Sequence, residues 1–363
     1  MQQRLPQLDG IRGIAILLVV VHNTDRYPSL HLKPLSNNAW MGVDLFFVLS
    51  GLLITGILLD TKGSTAYFKN FYARRCLRIW PLYYSLIFFM FAVVPFLHPS
   101  AGHTIFERSS PWWAYPLFLQ NFLTPAPAMA SGPLGVTWSL AIEEQFYLIW
   151  PWVVRYCSTA HVRRIALLVI CLSPVLRLFL SLHHVDLYTN VFCRLDGLMA
   201  GALLALMVRS PNCLPGQLVK RAWISLCLTA PLALVTDALN ARWIVFSLTA
   251  VASASFVYLS LFSANKWVQR AVTNRFMVYT GTISYGLYLV HKIPLDVSLV
   301  FHLDQYPVLA LPIIVVAGYA TAALAWNLLE KPFLGLKRFF ESTTLRESVA
   351  SEVVLVPQRR DVA

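Results

Sequence analysis

The side chains able to do chemistry in this chain are ionisable groups set in apolar surroundings. His22 follows Arg12 within one hydrophobic run, and Asp44 opens the next. Glu143 and Glu144, Arg177, Arg194 with Asp196, and His291 interrupt later runs. An imidazole titrates near neutrality, and a carboxylate can orient it and stabilise its charged form, so His22 with Glu143 has the chemistry of a general base. Arg75 and Arg78 form a different constellation. They sit three apart in Phe71-Tyr72-Ala73-Arg74-Arg75-Cys76-Leu77-Arg78-Ile79, on one helix face. Arginine pairs of this kind grip phosphate through forked hydrogen bonds.

Each group also has a plainer explanation. A lone histidine between helices is often a satisfied hydrogen-bonder. Arg194 and Asp196 are two apart, do not face each other and need partners elsewhere. With Arg177 and Asp44 they could form a purely structural ion-pair net. Glu143 and Glu144 are adjacent, about 100° apart on a helix, so one is expected to face a cavity and the other a neighbouring helix. Arg75 and Arg78 could be ordinary interfacial charge. The six cysteines include no CxxC and read as small apolar residues. No His, Cys or carboxylate spacing suggests a metal, and none of the common nucleotide, zinc or serine-hydrolase motifs occurs.

Elements that could position such groups follow from composition. Of 363 residues, 57% are hydrophobic and 13% charged, whereas soluble domains carry about 25% charge. That excludes a soluble enzyme and a disordered chain. The long apolar runs do not alternate, so an all-α integral membrane bundle is expected. Ten transmembrane helices are read at about 10–25, 42–60, 79–97, 134–154, 165–183, 189–208, 222–239, 243–263, 277–295 and 308–330. The net charge of +12 tests the orientation. With both termini cytoplasmic, 22 Lys and Arg fall on inside segments and 5 on outside loops, as the positive-inside rule requires. The basic excess then marks topology rather than nucleic-acid binding. Residues 1–332 are expected as the membrane domain, and 333–363 as an amphipathic, then flexible, cytoplasmic tail. By helical rise, His22, Asp44, Glu143, Glu144, Arg177, Arg194, Asp196 and His291 converge on one layer in the outer half of the bilayer. Buried charges are costly, so such a layer is a candidate site.

At these residues the chain resembles the membrane-bound acyltransferase family 3. The matching stretches are Leu8-Asp9-Gly10-Ile11-Arg12-Gly13-Ile14-Ala15 with His22, and Gly42-Val43-Asp44-Leu45-Phe46-Phe47-Val48-Leu49-Ser50-Gly51. Next come Arg75 and Arg78 before Pro81, then Thr137-Trp138-Ser139-Leu140 with Glu143, Glu144, Gln145, Phe146 and Tyr147. Ser284-Tyr285-Gly286-Leu287-Tyr288-Leu289 with His291, and Glu330-Lys331-Pro332, complete the set. The likeness covers about residues 5–335. One spacing departs from the family pattern: nine residues, not ten, separate Arg12 from His22. Either a local bulge restores the facing or His22 is not an exact equivalent.

The resemblance implies an O-acyltransferase of the bacterial cytoplasmic membrane and cell envelope. It would move an acyl group, commonly acetyl, from cytoplasmic acyl-CoA (acetyl-CoA) to a hydroxyl of an extracytoplasmic carbohydrate or glycolipid, with no metal. Arg75 and Arg78 would hold the coenzyme phosphates. His22, with Glu143, would activate the acceptor hydroxyl or else carry the acyl group itself, and Arg12 would guide the donor arm. Asp44, Glu144, Arg194, Asp196, Tyr285 and His291 would line the substrate cavity. Many members carry a fused hydrolase-like domain, which this chain, ending about 33 residues after Glu330, is expected to lack. A multi-span transporter is the rival, because intramembrane charge suits proton-coupled transport equally well. No repeated half supports it.

Overall fold

A computed structural model describes residues 5–26, 33–123, 132, 134–210 and 215–340, and among them no strand occurs. Lipid offers the backbone no hydrogen-bond partners, so apolar runs satisfy their own as helices. We label these α1 (Pro6–His22), α2 (Lys33–Ala39), α3 (Met41–Asp60), α4 (Tyr67–Phe88), α5 (Thr137–Tyr156), α6 (Thr159–Leu182) and α7 (Leu195–Val208). They continue with α8 (Pro215–Ala238), α9 (Arg242–Phe262), α10 (Arg275–Thr282), α11 (Ser284–Val290), α12 (Lys292–Val300) and α13 (Pro307–Ala325). Short helical pieces such as Pro99–Arg108 and Lys266–Thr273 link them.

Among the described residues, six stretches are long and apolar enough to cross a bilayer: Ser36–Asp60, Tyr67–Leu97, Thr159–Leu182, Gln217–Ala238, Arg242–Phe262 and Val308–Phe340. The chain is an integral membrane protein. The other four expected spans are helical but fall short for local reasons. α1 has 17 residues and α7 has 14. α5 carries Glu143-Glu144-Gln145 near its middle. The run 277–295 breaks into α10, α11 and α12 at Ile283 and His291. Residues 341–363 of the expected tail, residues 124–131 and 133 between the third and fourth expected spans, and Cys213 lie outside the described residues.

Three glycine-mediated contacts set the helix spacing around the site. α3 lies along α7 with the backbones nearly touching. A Cβ on Gly51 would stand 1.9 Å from the Leu198 carbonyl oxygen, and one on Gly201 would stand 2.0 Å from that of Val48. Close crossings of small residues replace the hydrophobic drive that lipid cannot provide. α1 is seated against α10 in the same way, where a Cβ on Gly281 would meet the Asp9 carbonyl at 1.7 Å. α1 also crosses the start of α3, with Gly42 against Ala15, Leu18 and Val19.

α1 is an uninterrupted α-helix through His22. No bulge offsets the nine-residue spacing, and regular winding turns His22 roughly 80° from the Arg12 face.

Candidate active site

α1, α3, α4, α5 and α11 enclose a cavity of about 110 Å³. Arg12, Arg75, Arg78, Ser50, Glu143 and Tyr147 supply much of its polar lining, together with Ser139, Ser284, Tyr285 and Tyr288. Apolar faces of α3 (Val43, Phe46, Phe47, Ile54) close it. Three arginines at one cavity make an anion-attracting end. Arg12 Nη1 pairs with Asp9 Oδ1 at 2.7 Å. Among the described residues neither Arg75 nor Arg78 pairs with a carboxylate at ion-pair distance. Arg75 instead lies over the rings of Tyr147, at 5.6 Å, and Phe71, at 5.9 Å. Their donors therefore suit an incoming phosphate.

Ser139, Glu143 and Tyr147 recur every four residues along α5 and share one face. They form a column about 12 Å long. Glu143 Oε1 accepts from Ser50 Oγ at 2.6 Å, and Oε2 accepts from the Tyr147 hydroxyl at 3.1 Å. A chain of contacts thus runs from Arg75 through Tyr147 and Glu143 to Ser50. At the far end of the column, Ser139 Oγ and the Tyr288 hydroxyl are 2.5 Å apart, and Tyr288 donates to the Val136 carbonyl at 3.1 Å. Tyr285 lines the cavity and donates to the Ile79 carbonyl at 2.7 Å. Glu144 points elsewhere, as adjacency on a helix requires, and does not line the cavity.

His22 is not among the cavity-lining residues. It ends α1 roughly 5 Å beyond the level where Val19 meets Gly42. Its Nδ1 lies 3.0 Å from the Ser36 carbonyl oxygen of α2. A carbonyl cannot donate, so Nδ1 carries the proton and Nε2 is the nitrogen left to act as a base. Ser36 therefore orients His22, in the place expected for Glu143, whose bonds go to Ser50 and Tyr147.

The expected single polar layer is divided in two. Asp44, Arg194, Asp196 and Arg177 form a separate buried net between α3, α6, α7 and α9, and none of them lines the cavity. Arg194 Nη2 meets Asp44 Oδ1 at 3.0 Å, and its guanidinium lies 4.0 Å over the Phe246 ring, with Trp40, Phe47, Trp138 and Tyr188 around it. Arg177 meets Asp196 at 2.9 Å and donates to the Trp243 and Cys193 carbonyls. Ser247 donates to Asp196 at 2.7 Å. These partners come from helices far apart in sequence, so their pairing follows from packing rather than from spacing along the chain. Their arrangement is that of a structural clamp. His291 is also absent from the lining. It is buried beside Tyr288, and its Nδ1 donates to the Leu287 and Tyr288 carbonyls at 3.1 and 2.8 Å.

Ser50, Ser139, Tyr147, Ser284 and Tyr288 are the polar lining residues that the sequence reading missed as site candidates. The signal for two of them was present, since Ser139 and Tyr147 flank Glu143 at four-residue spacing.

The acyltransferase domain family Acyl_transf_3 matches residues 5–329. A Bacillus subtilis protein named "Putative peptidoglycan O-acetyltransferase YrhL" is 31% identical over 90% of this chain and 54% of its own length. A Staphylococcus aureus (strain COL) protein named "Putative O-acetyltransferase" is 26% identical over 91% of this chain and 57% of its own. The Listeria monocytogenes "Peptidoglycan O-acetyltransferase OatA" is 37% identical over 40% of this chain and 24% of its own. The chain spans about half the length of the first two relatives. No solved structure matches it.

Proposed function

This chain belongs to the Acyl_transf_3 family of acyltransferase domains, and from that premise we propose that it is an integral-membrane O-acyltransferase. It moves an acyl group, acetyl by the names of its relatives, from acyl-CoA to a hydroxyl of a cell-envelope carbohydrate, peptidoglycan being the acceptor those names suggest. The observation that carries this reading is the cavity joining Arg12, Arg75 and Arg78 to the Glu143 carboxylate through Tyr147. A transporter has no need of a phosphate clamp wired to a carboxylate.

In this reading residues 1–332 cross a bacterial cytoplasmic membrane ten times, with both termini and the arginine end inside. Arg75 and Arg78 hold the phosphates of the donor by forked, charge-assisted bonds. The donor arm extends along the α5 column, and Arg12 places a positive charge beside the acyl carbonyl, where negative charge develops. The Nε2 of His22, held by Ser36, takes the proton of the acceptor hydroxyl at the outer end. Asp44, Arg194, Asp196 and Arg177 fix α3, α6 and α7 rather than touch substrate.

The test is direct. Purified full chain, given labelled acetyl-CoA and muropeptides or lipid-linked disaccharide, releases free CoA and yields an alkali-labile acetylated glycan. Absence of release with every carbohydrate acceptor overturns the reading.

A further inference from the structure

Ser50 holds a position that the transfer chemistry above leaves unused. It lies on α3 at the cavity wall, and its hydroxyl donates to Glu143 at 2.6 Å. That separation is the range of charge-assisted O–H···O⁻ bonds. The carboxylate cannot swing away, because its second oxygen is held by Tyr147 at 3.1 Å. Tyr147 is itself pinned beneath Arg75. A hydroxyl paired with a base that a third group orients is the arrangement of an activated nucleophile. Arg12 supplies a cation in the same cavity. His22, the other group considered as an acyl carrier, ends α1 at Ser36 and is not part of the cavity wall.

We propose that Ser50 is the covalent acyl carrier, with Glu143 as its general base. The proposal rests on the acyltransferase reading. In the first step Ser50 Oγ attacks the thioester carbonyl carbon. The C–O bond forms, the C–S bond breaks, the Oγ proton passes to Glu143, and CoA leaves as thiolate, which takes a proton from water. In the second step the acceptor oxygen attacks the acyl-Ser50 carbonyl, and the bond to Oγ breaks. Glu143 returns its proton to Oγ, while the acceptor proton goes to His22 Nε2 and from there to water. One proton is taken from water and one returned per cycle. Dividing the reaction in this way suits the geometry. The serine lines the cavity beside the carboxylate that Tyr147 links to Arg75, whereas His22 is held at Ser36 and is not part of that lining.

The experiment incubates the purified full chain, and its His22→Ala variant, with acetyl-CoA and no acceptor, followed by peptide mass spectrometry. One acetyl group is expected on the peptide containing Ser50, accumulating most in His22→Ala. Ser50→Ala should lose both the adduct and transfer, while Ser50→Cys should become acetylated as a hydroxylamine-sensitive thioester, which also shows that the site is folded. Transfer by Ser50→Ala at the wild-type rate, or an acetyl group on His22 in place of Ser50, overturns the proposal. A wild-type chain that releases no CoA with acceptor present overturns the acyltransferase reading itself, so the two failures are distinct.

Discussion

The Tyr147 hydroxyl donates to Glu143 Oε2 across one turn of α5, at 3.1 Å. Its ring meanwhile lies 5.6 Å from the Arg75 guanidinium. One side chain therefore connects the anion-attracting end of the cavity to the carboxylate. Tyr147→Phe keeps the ring and removes the hydrogen bond, which for a charged acceptor is worth about 1.5–3 kcal/mol. Steady-state kinetics should show kcat/KM lower by about 10–100-fold, carried by kcat, with the donor KM near wild type.

The donor site is tested by removing its charge. Arg75→Ala with Arg78→Ala removes two charge-assisted contacts of about 1.5–3 kcal/mol each. The KM for acyl-CoA should rise by more than tenfold, with a smaller change in kcat. An unchanged KM would refute phosphate binding at this pair.

His22→Ala should remove general-base assistance, a loss of about 10²–10⁴-fold in transfer. The protein should still insert and accumulate, because the ring is only partly buried and its orienting bond goes to one carbonyl. Normal transfer of acetyl to glycan by this variant would remove His22 from the mechanism.

The buried net predicts a stability effect with an internal control. Asp44 and Arg194 have side chains 2% and 0% exposed. Asp44→Ala leaves the guanidinium buried without its carboxylate, which costs about 3–5 kcal/mol. Thermal unfolding in detergent should show a marked fall in Tm. Asp44→Leu combined with Arg194→Met should recover much of it, because apolar replacements need no charge partner.

Much of the helix pattern was legible in the residues, because an apolar run of sufficient length has no other stable backbone state in lipid. The Arg75–Arg78 pair and the outward turn of Glu144 from Glu143 follow from helical geometry alone, and the structure places them as that geometry dictates. Pairings between distant helices were not legible. Asp44 with Arg194, and Arg177 with Asp196, depend on how α3, α6 and α7 pack, so depth along each helix suggested one layer where there are two. The Ser36 contact of His22 was not legible for the same reason, since Ser36 comes from a short helix whose approach no periodicity reveals. Ser50 was hidden by its chemistry: a serine among glycines and leucines reads as a small packing residue until a carboxylate is seen beside it.

The four expected spans that fall short of membrane-crossing length or apolarity are those bearing Arg12 and His22, Glu143 and Glu144, Arg194 and Asp196, and His291. During synthesis each would be a poor substrate for lateral release into lipid, since a central charge costs about 2.5–3.5 kcal/mol on insertion scales. In chain order, however, the next membrane-length stretch after each is strongly apolar: Ser36–Asp60 after α1, Thr159–Leu182 after α5, Gln217–Ala238 after α7, and Val308–Phe340 after α12. Biogenesis of the active site is thereby tied to its successor helices. A nascent chain stalled after α5 or α7 would hold charged segments with no escort, the state that membrane quality-control proteases remove.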